Sequence, residues 1–557
     1  MKKINIISIF VFLILGVSFT SCETVDLDLL DDPNNVTTDK AVLERYMVAI
    51  QVDFGKFAEA MGRNGSQLTR LEHLFATSYN NAFDPSSTNF EWGLAYEGMF
   101  SDMVAANGLA ESIEGFKHQG ILKVLKAYTL ITLVDYFGDV PFSEANNPAE
   151  FPAPSVDDDA AVYQAALLML NEAIDLFGTD ALGIENDLFY NNDFDKWINL
   201  ANTLKMTAYL NTRLVDADAT SKFNAIVNAG NFISSNDGDF QFTYSTEIFV
   251  IDESTTNDTR HPAYQSDYNV GGAGRYRANW LMDEMLNDND PRIRYYFFRQ
   301  NDCTPSATGC PVDPVSLFCS TESPPAHYPG SMIFCAVDNG YWGRDHGFAG
   351  GIPPDSFSRT ASGVYPSAGN FDDDRFSSVV LGAGGAGAGM TPIVLASWVD
   401  LMRAEMALAN GSVGNANGFM QAGMQKSISK VMSFGSIDPD GDLSFAPSSA
   451  DVAAYISAKG DAFVNAPTAN DRWELLSIQY LVAHFGNGSN AYNFYRRTGF
   501  PTSLQFNIEQ SPGNFVRSFF YPADEANTNI NIQQKPNVDQ QVFWDNNPSS
   551  PGFPSAN

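Results

Sequence analysis

Gly120-Ile121-Leu122-Lys123-Val124-Leu125-Lys126-Ala127-Tyr128-Thr129-Leu130-Ile131-Thr132-Leu133-Val134-Asp135-Tyr136-Phe137-Gly138 is the stretch on which the fold turns. Ile121, Leu125, Tyr128 and Thr132 recur at helical spacing, and Leu122, Leu130 and Leu133 widen the buried face. The helix is expected to stop near Phe137-Gly138, ahead of Pro141. Upstream, Leu43, Met47, Ile50 and Phe54 follow the same period, as do Trp92, Tyr96, Met99 and Met103, which puts Trp92 in the core. Downstream, Ala161 to Phe177 and Asp195 to Leu214 read as two more amphipathic helices. Their pairing resembles stacked helix-turn-helix repeats, without a clean 34-residue consensus.

From about residue 228 to 389 the texture changes. Gly, Pro, Ser, Asn and aromatics dominate, and only Trp280 to Leu286 reads as helical. Long irregular segments inside an ordered protein are usually functional loops. Thr391-Pro392 is expected to restart a helix, as N-cap and N1 proline, with Leu395, Val399, Met402 and Met406 on one face and Asn410-Gly411 at its end. Helical patterns return at Ala416–Met432, Asp451–Phe463 and Asp471–Phe485, and the chain beyond Pro501 is irregular. The fold class is therefore mostly α, a scaffold of tetratricopeptide-like helix pairs carrying long loops and few short strands.

The amino terminus reads as an export signal. Lys2 and Lys3 precede a short apolar run, Ile6 to Val17, and Ser18-Phe19-Thr20-Ser21 leads into Cys22. The run is too short to span a bilayer, and no stretch of the remaining chain is expected to approach spanning length. Residues 1–21 are thus expected to be removed, Cys22 to carry lipid, and residues 22–38 to form a leader containing Asp31-Asp32-Pro33-Asn34-Asn35. Residues 39–557 then form one domain with a loop-rich ligand face. Loss of Lys2 and Lys3 moves the formal charge from −34 to about −36. Such a surface repels phosphate backbones and anionic headgroups, which argues against nucleic acid and electrostatic membrane docking and leaves the lipid as anchor.

Cys303, Cys310, Cys319 and Cys335 fall within a 33-residue window rich in proline. In an exported chain this reads as two disulfides in one of three pairings. A tetrahedral metal site is the alternative, although no C-x-x-C pair is present.

Several phrases, in order along the chain, resemble the SusD/RagB family of nutrient-binding outer-membrane lipoproteins. They are Asp135-Tyr136-Phe137-Gly138-Asp139-Val140-Pro141-Phe142, Trp197-Ile198-Asn199-Leu200-Ala201-Asn202-Thr203-Leu204-Lys205, Asp290-Pro291-Arg292, Arg496-Arg497-Thr498-Gly499-Phe500-Pro501, Tyr521-Pro522 with Glu525 and Asn529, and Val542-Phe543-Trp544-Asp545. Their chemistry is that of helix stops and turns, so they read as architectural. The acidic run after Cys22 resembles the surface-export tether of such lipoproteins. The resemblance implies a cell-surface protein, anchored to the outer membrane, that captures an oligosaccharide or a peptide. It also implies a SusC-like TonB-dependent transporter as partner, with this chain as a hinged lid, and no covalent chemistry.

Motif chemistry supports binding over turnover. Gly382-Ala383-Gly384-Gly385-Ala386-Gly387 spells G-x-G-x-x-G but lacks the flanking strand and helix of a dinucleotide site, and reads as a flexible linker. No cofactor is expected. Asp438-Pro439-Asp440-Gly441-Asp442 has calcium-like spacing without the closing carboxylate, and reads as a solvated turn, with the ion a lesser alternative that the resemblance allows. Asp157–Asp159 and Asp372–Asp374 read as solvated loops. No H-E-x-x-H or nucleophile elbow occurs, which leaves a surface glycan hydrolase as the enzymatic alternative. Loop aromatics are the better lead, because sugar rings stack apolar faces on them while Asn, Asp and Arg take the hydroxyls. Tyr79, Asn81, Phe83, Tyr276, Trp280, Tyr341, Trp342 and Arg344 are the expected ligand contacts.

Overall fold

A computed structural model of the protein describes residues 38–250, 256–304, 310, 319, 322–350 and 358–548. The export signal, Cys22 and the Asp31–Asn35 leader lie outside the described residues. The mostly helical class is as the periodicity predicts. Helix α1 (Thr38–Leu68) sinks Leu43, Met47, Ile50 and Phe54 completely. The second apolar stripe is not one continuous α-helix. A short helix, Asn89–Gly93, widens into a π-helical segment, Leu94–Phe100, before α2 (Ser101–Ser112). Trp92 is buried there, as expected.

Helix α3 (Phe116–Phe137) is enclosed along almost its whole length and stops at Gly138, whose φ of 75° turns its N–H back onto the Val134 carbonyl. Helices α4 (Asp159–Phe177), α5 (Phe194–Asn211) and α6 (Ala219–Ala229) follow, each packing on the one before. By length and composition α4 does reach the standard of a membrane span, contrary to the sequence reading. It lies instead between α3 and α5, with Val162, Tyr163, Ala166, Leu170 and Phe177 in the core and Leu168 exposed.

After α7 (Asn279–Asn287), a second helical array closes the molecule: α8 (Ala396–Ala409), α9 (Val413–Ser433), α10 (Ser449–Asn465), α11 (Ala469–Ala483) and α12 (Ser489–Thr498). Capping boxes, Ser448 with Asp451 and Thr468 with Asp471, start α10 and α11. Neighbours along this array pack in sequence, and α12 lies against α1. One apolar core runs from Leu43 to Trp544, with a small satellite around Tyr264, Tyr268 and Phe298.

Thr391-Pro392 does not restart a helix. Met390–Val394 is a strand that pairs antiparallel with Phe240–Thr243 and is buried throughout. A β-branched run with a partner strand suits the pleated surface better than a helical turn. Helix α8 begins at Ala396, whose N–H is received by the Asp239 carboxylate at 2.8 Å, so a residue from another segment replaces the expected cap.

Three loop readings are corrected likewise. The Gly382–Gly387 run is packed rather than a flexible linker, since a Cβ on Gly384 would lie 2.2 Å from the Gly369 carbonyl oxygen. Asp372 and Asp373 are buried, tied to Arg299 and Arg375. Asp438 is buried too and receives Arg375 at 2.8 Å, so the acidic run opens on an enclosed ion pair rather than a solvated turn. The phrases read as architectural do carry architecture. The Asp135 carboxylate collects Tyr163, Asn493 and the Trp544 indole, and burial, its largest influence, pushes its pKa up against those donors.

Candidate ligand-binding site

Between α1 and the one-turn helix Tyr79–Ala82, the chain turns at Arg70, which adopts a φ of 60° and is fully buried. Its Nε donates to the Gln505 carbonyl at 2.9 Å and its Nη2 to the Tyr79 hydroxyl at 3.2 Å. That hydroxyl in turn meets Nε2 of His346 at 3.3 Å. Burial foremost, then the Arg70 guanidinium, holds the His346 pKa well below its usual value, so the ring is neutral.

The next layer fixes the strip that carries three predicted contacts. Asp345 is buried and accepts from Asn279 at 3.0 Å, from the Cys335 N–H at 2.7 Å and from Gln505 at 2.7 Å. The Arg344 N–H donates to the Arg277 carbonyl, and the Asn279 N–H returns to the Arg344 carbonyl, both at 2.9 Å. This ladder explains Gly343, where a Cβ would lie 2.3 Å from the Arg277 carbonyl oxygen. The four cysteines pair as Cys303–Cys310 and Cys319–Cys335. The second bridge thus clamps the residue whose N–H holds Asp345.

On this base stands a ledge of aromatic rings. The half-buried Tyr276 ring has the Arg344 guanidinium 4.1 Å and the Arg359 guanidinium 3.8 Å from its centroid. Arg344 also lies 5.1 Å from the Phe348 ring and 5.9 Å from that of Phe75. His73 meets Phe75 and Tyr276 edge-on at 6.1 and 6.0 Å, and its Nε2 donates to the Phe348 carbonyl at 3.1 Å. Burial foremost, then Arg344, lowers its pKa to about 3, so His73 is an uncharged spacer. Phe75 is 60% exposed. Phe75 therefore offers ring surface outward, a geometry suited to stacking a flat apolar face, while the Tyr276 ring is held between two guanidiniums.

The predicted contacts separate on this frame. Tyr276 and Arg344 belong to the ledge. Tyr79 supports it from within, buried. Asn81 is exposed on the short helix beside it, and Phe83 is buried against Phe519. Trp280 is buried, its indole N–H donating to the Ser503 carbonyl at 3.0 Å, and Trp342 is 1% exposed. Tyr341, also buried, turns away toward Arg299 and Phe297 and lines a separate cleft of about 420 Å³. Tyr79, Phe83, Trp280, Tyr341 and Trp342 thus have no ring face open to stacking, because the surrounding loops fold over them. Phe75, Phe348 and Arg359 escape the sequence reading. Phe75 follows the buried Leu74 in the loop after α1, and no local pattern marks it as the exposed one of the two. For cations, Asp139, Asp158 and Asp159 bring carboxylate oxygens within 4.8 Å of one another, but each already accepts a backbone N–H at the start of α4 or from Phe543.

Two family models match the chain. The model for "Starch-binding associating with outer membrane" SusD-like proteins matches residues 37–314, and that for "Susd and RagB outer membrane lipoprotein" matches residues 388–540. The chain belongs to the SusD/RagB family. Solved structures show that SusD-like fold at low identity. A chitin-binding protein is 19% identical with a TM-score of 0.63, covering 90% of this chain and 100% of its own. A SusD homologue from Bacteroides fragilis is 18% identical, TM-score 0.63, covering 91% and 99%. A chitin-binding SusD homologue from Flavobacterium johnsoniae is 15% identical, TM-score 0.62, covering 93% and 100%. No curated protein matches the chain.

Proposed function

We propose that this SusD-like chain is a cell-surface lipoprotein, anchored through Cys22, that captures an oligosaccharide at this ledge, with Phe75 as the exposed stacking ring. It then acts as a hinged lid that passes the oligosaccharide to a SusC-like TonB-dependent transporter. The observation that carries the reading is the exposed Phe75 ring beside the arginine-held Tyr276, mounted on loops braced by the Asp345 network and a disulfide. Chitin-binding proteins among the structural neighbours support the glycan class. A peptide ligand is the second reading, favoured by the formal charge of −34, which would attract basic peptides. Binding proceeds without turnover in either case.

A glycan array run beside a capture of mixed basic peptides separates the two. Saturable glycan binding without release of reducing ends supports the first reading; reducing-end release would establish a hydrolase instead. For the anchor, Cys22→Ala should leave a folded protein that no longer fractionates with membranes. For the partner, mild detergent extraction should recover a complex with a barrel protein, since tethering on one membrane keeps even a modest interface occupied. Recovery as a lone monomer would remove the lid.

A further inference from the structure

A cavity of about 500 Å³ lies between the end of α3, the start of α4 and the strip of chain from Ser518 to Gln541. It shares no residue with the ledge. Asp139, Asp159, Ser518, Tyr521 and Lys535 line it, and the exposed side chains of Gln533 and Gln540 stand at its rim. The strip is tied down internally. The Gln534 side chain accepts from the N–H groups of Tyr521 and Lys535, both at 2.9 Å, and donates to the Tyr521 carbonyl at 2.6 Å. The Tyr521 hydroxyl donates to the Asp139 carbonyl at 2.8 Å, which fixes the strip to the turn after α3.

The amine of Lys535 is held in a defined orientation within this frame. Its Nζ donates to the Phe137 carbonyl and, at 2.8 Å, to the Ser518 hydroxyl. That hydroxyl gives its own hydrogen to the Gln540 carbonyl at 2.6 Å, so toward the amine it accepts. With Cε, the two acceptors occupy three tetrahedral positions of Nζ, and the fourth is left to the cavity that Lys535 lines. Among the described residues Lys535 makes no ion pair, whereas Lys426 and Lys430 are tied to Asp400 and Asp239. A neutral amine satisfies this arrangement, with both N–H groups donated and the lone pair in the fourth position. Burial foremost lowers its pKa to about 7; Asp139 and Asp159 oppose that fall and Arg496 adds to it. A desolvated neutral amine beside open space is a nucleophile.

We infer that Lys535 is a covalent capture site for small hydroxyaldehydes, with Nζ as the nucleophile and this cavity as the space that receives them. The Nζ lone pair forms a bond to the carbonyl carbon while the carbonyl π pair moves to oxygen. A proton then passes from nitrogen to that oxygen, giving a carbinolamine. The hydroxyl takes one proton from solvent and leaves as water, and the nitrogen lone pair closes the C=N bond. One amine, one aldehyde and one proton thus give one protonated imine and one water, without oxidation or reduction. The imine keeps one N–H for Ser518 or Phe137, and Asp139 and Asp159 line the same cavity as its positive charge. The carboxamides of Gln533 and Gln540, each both donor and acceptor, suit the hydroxyls of the captured molecule. The site is independent of whichever nutrient the ledge holds.

The test treats the folded protein at pH 7 with glyceraldehyde and cyanoborohydride, which reduces an imine to a stable secondary amine, and peptide mass spectrometry follows each lysine. Lys535 should be labelled roughly tenfold faster, or more, than the exposed Lys56 and Lys222, because its amine is neutral where theirs are charged. Gln540→Trp, which narrows the rim from an exposed position, should slow labelling of Lys535 and leave Lys56 unchanged. Phe75→Ala, on the ledge, should alter neither. In denaturant the preference for Lys535 should vanish. Labelling of Lys535 no faster than that of Lys56, or a preference that survives denaturation, would overturn the site. So would full labelling in Gln540→Trp, since the amine would then be reached by another route. Reaction of Lys535 with acetic anhydride but not with glyceraldehyde would show a reactive amine in a cavity that refuses the aldehyde, and would overturn it equally.

Discussion

The guanidinium of Arg497 holds the carboxylate of Glu405 through two hydrogen bonds, Nε to Oε1 at 3.0 Å and Nη2 to Oε2 at 2.7 Å, across 92 residues of sequence. Both side chains are buried, and Arg213 approaches the same carboxylate to 3.5 Å. Arg497 belongs to a phrase that marks the family, and its contact joins α12 to α8. Glu405→Gln should leave two guanidiniums enclosed without their countercharge and cost about 3–5 kcal/mol. Denaturant unfolding checks this, and the ligand affinity of the remaining folded protein should be unchanged.

Two aromatic substitutions should separate core from surface. Trp342 is 1% exposed, so Trp342→Ala opens a cavity and should destabilise by about 3–5 kcal/mol. Phe75 is largely exposed, so Phe75→Ala should leave the melting temperature nearly unchanged while weakening ligand binding by about 1–3 kcal/mol. Parallel melting and titration of the two variants reads both. The reverse pattern would move the ligand to the Tyr341–Trp342 side.

The disulfides are checked by mass. Two bridges make the unreduced, denatured chain four hydrogens lighter than the reduced one, and partial proteolysis should link Cys319 to Cys335. Loss of the Cys319–Cys335 loop closure should lower stability by about 3 kcal/mol on the chain-entropy account, and should weaken binding first, because Cys335 positions Asp345 beneath the ledge.

Lys535 provides the pH test. Its amine donates to the Ser518 hydroxyl at 2.8 Å and to the Phe137 carbonyl, and burial lowers its pKa from 10.5 to about 7, with Asp139 and Asp159 opposing. Between those two values the unfolded chain binds more protons than the folded one, so this group's contribution to stability should rise with pH across that window and be least favourable below pH 7. Lys535→Met should flatten that segment of the stability profile. Competitive acetylation read by mass spectrometry should show Lys535 reacting with a midpoint near pH 7, whereas exposed lysines such as Lys56 stay protonated there.

How far the sequence reaches follows from the range of each signal. Helix α3 is legible because its spacing rule acts over a few residues and needs no knowledge of partners. The Phe240–Thr243 and Met390–Val394 pair is illegible, since each strand is short and its partner lies about 150 residues away, so local N-cap chemistry at Thr391 points the wrong way. The site is half legible. Tyr276 and Arg344 stand in a loop with the right chemistry, and so does Trp342, but glycines beside an aromatic residue do not reveal whether the loop presents it or folds over it. His73 and Tyr276 become neighbours only through the meeting of two turns, and no pattern along the chain encodes that.

The packing of α1 against α12 also governs when the protein can fold. The Gly488 N–H donates to the Gly62 carbonyl at 2.9 Å, and Gly65 and Gly488 approach too closely for any side chain between them. The face of the first helix that α12 covers therefore stays open until the chain beyond residue 488 is present, and the last buried tryptophan, Trp544, lies later still.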